Sequence, residues 1–178
     1  LLGVLTAAGT ARFAPLQTLL SPVMSAIKAT PIASFIILAL VWFRVSFIPV
    51  FTAFLIVYPL VWANVEQGIR STDPALLEMA RAFRMPRKNL LTKIYLPSVK
   101  PYFLAAFNSG MGMAWKAGIA AEVICSDRNS IGGALHDAKI YLETENLFAW
   151  TFSVILLSIL LEKLFFRLAA WEGRRRDA

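Results

Sequence analysis

The sequence predicts an all-α protein that crosses a membrane several times, and three observations carry that prediction. Of its 178 residues, 58% are hydrophobic and only 16% are charged. An ordinary soluble domain has about 45–50% and about 25%, so one modest core cannot hide the excess. Apolar stretches that approach the roughly 20 residues a spanning helix needs recur along the chain. Lys and Arg crowd some connecting segments and are scarce in others, the asymmetry that orients membrane helices.

Residues 1–8 read as the end of a partial span. LLGVLTAAG has no basic leader and no small-residue cleavage site, so it is not a signal peptide, and further N-terminal residues are expected. The second span covers about 31–43, PIASFIILALVWF, with an extension back through SPVMSAIKAT. The third covers about 47–63, the fourth about 101–124 and the fifth about 147–170. The expectation is therefore four full spans and one partial one. Pro31 and Pro101 stand at helix starts, where a missing N–H costs nothing, and Pro49 stands near one. Pro59 falls inside the third span, where neighbouring helices can satisfy the freed carbonyl.

Charge then orients the spans. Arg70, Arg81, Arg84, Arg87, Lys88, Lys93 and Lys100 crowd the segment 64–100, and Arg167, Arg174, Arg175 and Arg176 the C-terminal end. The loop 126–146 holds Arg128 and Lys139 against Asp127, Asp137, Glu143 and Glu145. The first two regions are assigned to the cytoplasm and the third to the outside. Alternation places 44–46 outside and 10–30, with Arg12 and Lys28, inside. Cytoplasmic loops thus account for the net charge of +7 without nucleic-acid binding. One cysteine, Cys125, makes no internal disulfide, no Cys/His cluster offers a metal site, and His136 reads as a loop residue.

The fourth span is textured. Ala106, Gly110, Ala114 and Gly118 recur every four residues, with Ser109 and Ala117 beside them. Such a stripe lets another helix approach closely in lipid, which suits a central helix, or ordinary packing with another side facing lipid. Lys116 and Glu122 are charges in or near this span, where charge is costly. Being six apart, they do not form an i,i+4 pair. Glu122 fits the outer interface. Lys116 can snorkel, pair with another helix or line a pathway. Trp42, Asn108, Trp115, Lys116 and Glu122 are the candidate path residues.

Residues 73–97, DPALLEMARAFRMPRKNLLTKIYLP, form the polar counterpart. Asp73 suits an N-cap and Pro74 the first helical position. Leu76, Leu77, Ala80 and Phe83 can share an apolar face. The helix breaks near Arg84-Met85-Pro86, and Pro86 opens a second short helix ending at about Lys93. Two short helices and a tight corner make a knob with Phe83, Arg84, Met85 and Arg87 at its tip, a composition typical of interfaces. An amphipathic helix lying on anionic headgroups is the other reading.

These residues resemble the cytoplasmic "EAA" loop of permease subunits in binding-protein-dependent ABC importers. Glu78-Met79-Ala80 matches its opening and Ile94-Tyr95-Leu96-Pro97 its end, at the family's spacing, with Asn64, Gly68 and Asp73 in the approach. Met79 stands for the first alanine and Arg84 for the usual glycine, so Met85-Pro86 offers an alternative break. WKAGIAAEVI (115–124) followed by SIGGAL (130–135), and SPVMSAIKATPIASFIILALVWF, are similar to the nitrate/sulfonate/taurine branch. The resemblance covers nearly the whole chain.

It implies one permease domain over 1–178, a MetI-like type I ABC importer helical bundle in the bacterial cytoplasmic membrane. The coupling loop would cover about 64–97 and the external loop about 126–146. Family members have about six spans. Glu78, Ala80, Ala82, Phe83, Arg84, Met85, Pro86, Arg87 and Leu90 would meet a separate cytoplasmic ATPase, which alone binds ATP and Mg. An extracytoplasmic binding protein would deliver a small anion or organic solute such as nitrate, a sulfonate or taurine. A second permease subunit, as a homodimer, and lipid complete the partners. The chain carries no Gly-rich phosphate loop and no nucleophile–base set, so no catalytic residue and no cofactor of its own is expected. An intramembrane enzyme would need more polar residues in the spans. A channel or secondary transporter without an ATPase leaves the knob unexplained.

Overall fold

A computed structural model describes residues 1–174, apart from the side chains of 166 and 168–174. Arg175 and Arg176 lie outside the described residues, as does the side chain of Arg174. The regular structure of the described residues is helical: α1 (Leu2–Arg12), α2 (Ala14–Ala29), α3 (Ile32–Trp42), α4 (Ile48–Arg70), α5 (Pro74–Ala82), α6 (Arg87–Leu90), α7 (Leu96–Cys125), α8 (Ile131–Ile140) and α9 (Thr144–Arg174). A 3-10 turn at Val45–Phe47 leads into α4, and a π turn at Leu91–Tyr95 joins α6 to α7.

Several boundaries differ from the expectation for local reasons. The second stretch is not one straight rod, because α2 and α3 meet at 102°. Pro31 is extended and caps α3 from outside, and the residue before a proline avoids the helical region. Pro101 lies inside α7 rather than at its start. The chain is already helical from Arg87, so the second short helix does not end near Lys93 but passes through the π turn into α7. The third stretch continues past residue 63 to Arg70, with Pro59 inside as expected. The fifth starts at Thr144.

Among the described residues, two helical stretches are long and apolar enough to cross a membrane, Val45–Arg70 and Thr144–Phe165, and three if the bent α2–α3 pair is one span. The 30 residues of α7 are long enough but too polar. Lys100, Asn108, Ser109, Lys116 and its glycines dilute the apolar residues.

The backbone gathers into two compact units, whose boundaries fall within α2, α4 and α7. One holds residues 1–28 and 58–109. Its core is Ala7, Met24, Trp62 and Val65. Gly3 allows α1 to approach α4, since a Cβ there would come 3.1 Å from Val61. Trp62 Nε1 donates to Thr10 Oγ1 at 3.1 Å, and Tyr58 OH bonds Thr6 Oγ1 at 3.3 Å. These pairs put α1 alongside α4 in parallel. Gly68 rests against the ring of Tyr102.

The other unit holds residues 29–57 and those from 110 onward, around Ile36, Ala39, Ile48 and Ala121. At the turn into α4 the Phe43 ring lies tilted against those of Phe47 and Phe51, with centroids 5.4 and 5.0 Å away. In this unit α8 folds back onto the end of α7. Ser130 caps α8 by accepting from Gly133 N at 3.0 Å, and Glu122 Oε2 accepts from Gly132 N at 2.9 Å. A Cβ on Gly132 would collide with Glu122, and one on Gly133 with the Asp127 carbonyl. The two glycines of SIGGAL are therefore required by close approach of backbone to backbone.

Candidate coupling corner and polar residues of the long helices

Asp73 Oδ1 accepts from Ala75 N at 2.8 Å, with Pro74 in the first helical position. The end of α5 is tightly specified. Arg84 N donates to Arg81 O at 3.0 Å and Met85 N to Ala80 O at 2.9 Å. Arg84 itself is left-handed, with φ 47°. This pair of bonds around a left-handed residue is the Schellman stop, which glycine usually occupies. Arg84 thus adopts a conformation that glycine would favour, and extended Pro86 adds a second break as it caps α6.

The corner exposes Phe83 at its tip as expected, whereas Met85, expected beside it, is half-buried. Of Leu76, Leu77, Ala80 and Phe83, only Ala80 is buried, while Phe83 is 79% exposed. Leu76, Met79 and Phe83 follow one another at three- and four-residue steps and form an exposed apolar stripe. Arg81, Ala82, Arg84, Pro86, Arg87 and Glu78 are also exposed, and Met85 and Leu90 are half-buried. Met79 was legible only as a departure from the alanine pattern. Its spacing to Leu76 and Phe83 was the available signal.

The candidate path residues are dispersed. Trp42, at the end of α3, is 71% exposed, and Lys116 is exposed. Asn108 Oδ1 and Trp115 Nε1 are buried and make no hydrogen bond. Glu122 lies seven residues, two turns, beyond Trp115, and its carboxylate is bonded to the start of α8, where the helix dipole favours negative charge. Of the small-residue stripe, Ala106 and Gly110 are buried, but a Cβ on Gly118 would meet open space.

Two features escaped the sequence reading. Glu162 on α9 reaches Gly112, with Oε1 2.7 Å from where a Cβ would stand, beside a groove of about 260 Å³ that Trp115 also lines. An acid next to Lys163 in an otherwise apolar run was the signal. His136 is a latch rather than a free loop residue. Nδ1 lies 3.0 Å from Val123 O, and Nε2 lies 3.1 Å from Ser126 Oγ. A carbonyl only accepts, so Nδ1 carries the proton there, and in the neutral ring Nε2 accepts from the Ser126 hydroxyl. No group of three potential metal ligands occurs among the described residues.

Residues 1–177 match the family described as "Binding-protein-dependent transport system inner membrane component". A "Probable ABC transporter permease protein" of Brucella abortus (strain 2308) is 24% identical over 89% of this chain and 65% of its own length. The taurine transport system permease protein of Escherichia coli (strain K12) is 24% identical over 87% of this chain and 58% of its own. The bicarbonate transport system permease protein of Synechococcus elongatus is 33% identical over 48% of this chain and 32% of its own. The chain thus spans less than two thirds of the length of these relatives. With a helical fold, apolar spans and a match along nearly its whole length, it belongs to the family of binding-protein-dependent transport system inner membrane components.

Proposed function

We propose that this chain is the permease subunit of an ATP-driven importer in the bacterial cytoplasmic membrane, and that the α5–α6 corner is where a separate cytoplasmic ATPase takes hold. The observation that carries the reading is the exposed stripe Leu76–Met79–Phe83 beside Arg81, Arg84 and Arg87. Large apolar side chains with arginines are the usual anchors of a protein interface. The capped, Schellman-closed α5 holds them on a firm support, and the helical run from Arg87 into α7 gives a displaced corner a stiff connection to the rest of the chain. ATP and Mg belong to the ATPase, and the chain itself is not an enzyme. An extracytoplasmic binding protein delivers solute, and a second permease subunit, a like copy, completes the pathway. Only contacts that differ between the two ATPase states can shift the permease.

Within the single permease domain, Asn108, Trp115 and Lys116 are the residues we assign to the path, with Trp42 and Glu122 nearer its edges. Buried polar atoms without partners, as on Asn108 and Trp115, are costly unless something else satisfies them. The substrate class is a small anion or organic solute such as nitrate, a sulfonate or taurine. The taurine and bicarbonate systems among the relatives support that class.

The test is the double variant Phe83→Ala with Arg84→Glu in the full-length protein, purified from its own membrane in mild detergent. It is expected to reach the membrane at normal levels and to lose the ATPase. Undiminished ATPase recovery would sink the proposal. Uptake that persists without ATP hydrolysis would turn the reading toward a secondary transporter.

A further inference from the structure

We propose that the corner between α8 and α9, Ile140-Tyr141-Leu142, inserts into the lipid interface where α9 enters the membrane and anchors that end of the span. The corner carries a strain that the fold does not require. Leu142 is left-handed, with φ 57°. Leu142 N donates to Lys139 O at 3.3 Å and Glu143 N to Ala138 O at 2.9 Å, the Schellman pair whose left-handed position glycine usually takes. A side chain disfavours that conformation, and this one is 85% exposed. Ile140 and Tyr141 beside it are exposed as well. The support beneath them is firm. Ala138 is buried, His136 Nδ1 donates to Val123 O, and Glu122 accepts from Gly132 N. These contacts fix α8 to the end of α7 without any help from Ile140, Tyr141 or Leu142.

Position says what covers the three side chains. The stretch Thr144–Phe165 is long and apolar enough to cross a membrane. Thr144 N donates to Leu142 O at 3.0 Å, so the Leu142 backbone lies against the first residue of that span. The continuous apolar run of α9 starts at Leu147, three residues further on and about 4.5 Å along the helix. A headgroup layer is about 5–7 Å thick on each side of the hydrocarbon, so the corner stands within its reach. Phe148 and Trp150, in the first turns of α9, are also exposed and continue the aromatic series that Tyr141 begins. Tyr and Trp gather at the membrane–water interface, where an apolar ring and a polar tip are both satisfied. Lipid therefore covers Ile140, Tyr141 and Leu142, and the strained leucine is the side chain that reaches furthest from the chain. The inference rests on α9 spanning the membrane and not on the ATPase or solute proposals.

The test uses the full-length protein with Cys125→Ser and every other cysteine replaced, reconstituted in phosphatidylcholine nanodiscs that hold no other protein. Ile140→Cys and Asp137→Cys, both at exposed positions of the α8 end, are labelled separately with a water-soluble maleimide. The reporter at 140 is expected to react about tenfold more slowly, a factor equivalent to about 1.4 kcal/mol and close to the low end of what burying a large aliphatic side chain gains. Leu142→Asp in the same chain is expected to remove that protection and Leu142→Phe to keep it. Equal rates at the two reporters, or protection that survives Leu142→Asp, overturn the anchor. Benzoylphenylalanine in place of Tyr141, photolysed in the native membrane, identifies the occupant with Leu142 intact, and so reports even if Leu142→Asp does not fold. An adduct heavier by one phospholipid is expected. An adduct to another protein, or none, overturns the proposal.

Discussion

Arg84 separates the shape of the corner from its charge. With φ at 47°, it pays the left-handed penalty of about 1–2 kcal/mol that a side-chain-bearing residue incurs and glycine does not. Glycine gives back about 0.5–1 kcal/mol through its extra freedom in the unfolded chain. Arg84→Gly is therefore expected to stabilise by about 0.5–1 kcal/mol, a midpoint rise of about 1–4 °C for a chain of this size. It keeps the Schellman bonds that residue 84 N and Met85 N donate to Arg81 O and Ala80 O. Arg84→Val places a β-branched residue in the same conformation and should lower the midpoint instead. The assay is thermal unfolding of the purified full-length variants in one detergent, alongside ATPase recovery. If shape dominates docking, Arg84→Gly recovers ATPase and Arg84→Val does not. If charge dominates, both lose it. A midpoint that falls for Arg84→Gly while Arg84→Val is neutral would refute the left-handed corner itself.

Three further outcomes follow from the geometry. Asp73→Ala removes the cap bond to Ala75 N and should cost about 1 kcal/mol, read as a lower midpoint and earlier proteolysis within 73–83. Gly133→Ala drives a methyl into the Asp127 carbonyl. It should release α8, with loss of the Ser130 cap and the Glu122 bond costing about 2–4 kcal/mol together, and expose a cysteine placed at Ala138 to a water-soluble thiol reagent. The pair Trp62→Phe and Thr10→Val, which removes the buried bond between α1 and α4, should show a coupling of about 0.6–1.5 kcal/mol in a double-mutant cycle; a coupling indistinguishable from zero would mean the helices are held by packing alone.

The places where sequence and structure agree are those where one residue decides the local backbone. Asp73-Pro74 starts α5 as read because cap and φ restriction act within one turn. Pro59 sits mid-helix because nothing around it offers a better end. The misjudged boundaries depend on what continues a helix rather than on what stops it. Pro101 has the signature of a first residue, but the upstream run from Arg87 was already helical and absorbed it. The polarity of α7 was visible in its glycines and in Asn108 and Lys116. What periodicity does not reveal is whether such a helix is sheltered by neighbours, and that alone decides whether its composition suits a lipid environment.

For the corner, the exposed tip at Phe83, Arg84 and Arg87 was legible, and the exposure of Leu76 and Met79 was not. Leu76, Met79 and Phe83 have the spacing of a face that packs inward, and hydrophobic spacing is the same whether the face is buried in its own chain or waits for another. Burial of Ala80 together with exposure of Phe83 distinguishes the two. A small residue faces the body of the unit, so α5 lies close, and the large side chains point away from it. Large apolar residues turned outward on a helix closed at both ends are not fixed by the needs of that helix. Asp73, the Schellman bonds and Ala80 suffice to hold it. The stripe therefore needs an explanation outside the fold, and this is why the partner proposal rests on Leu76, Met79 and Phe83 more than on the arginines, which solvent alone would accommodate.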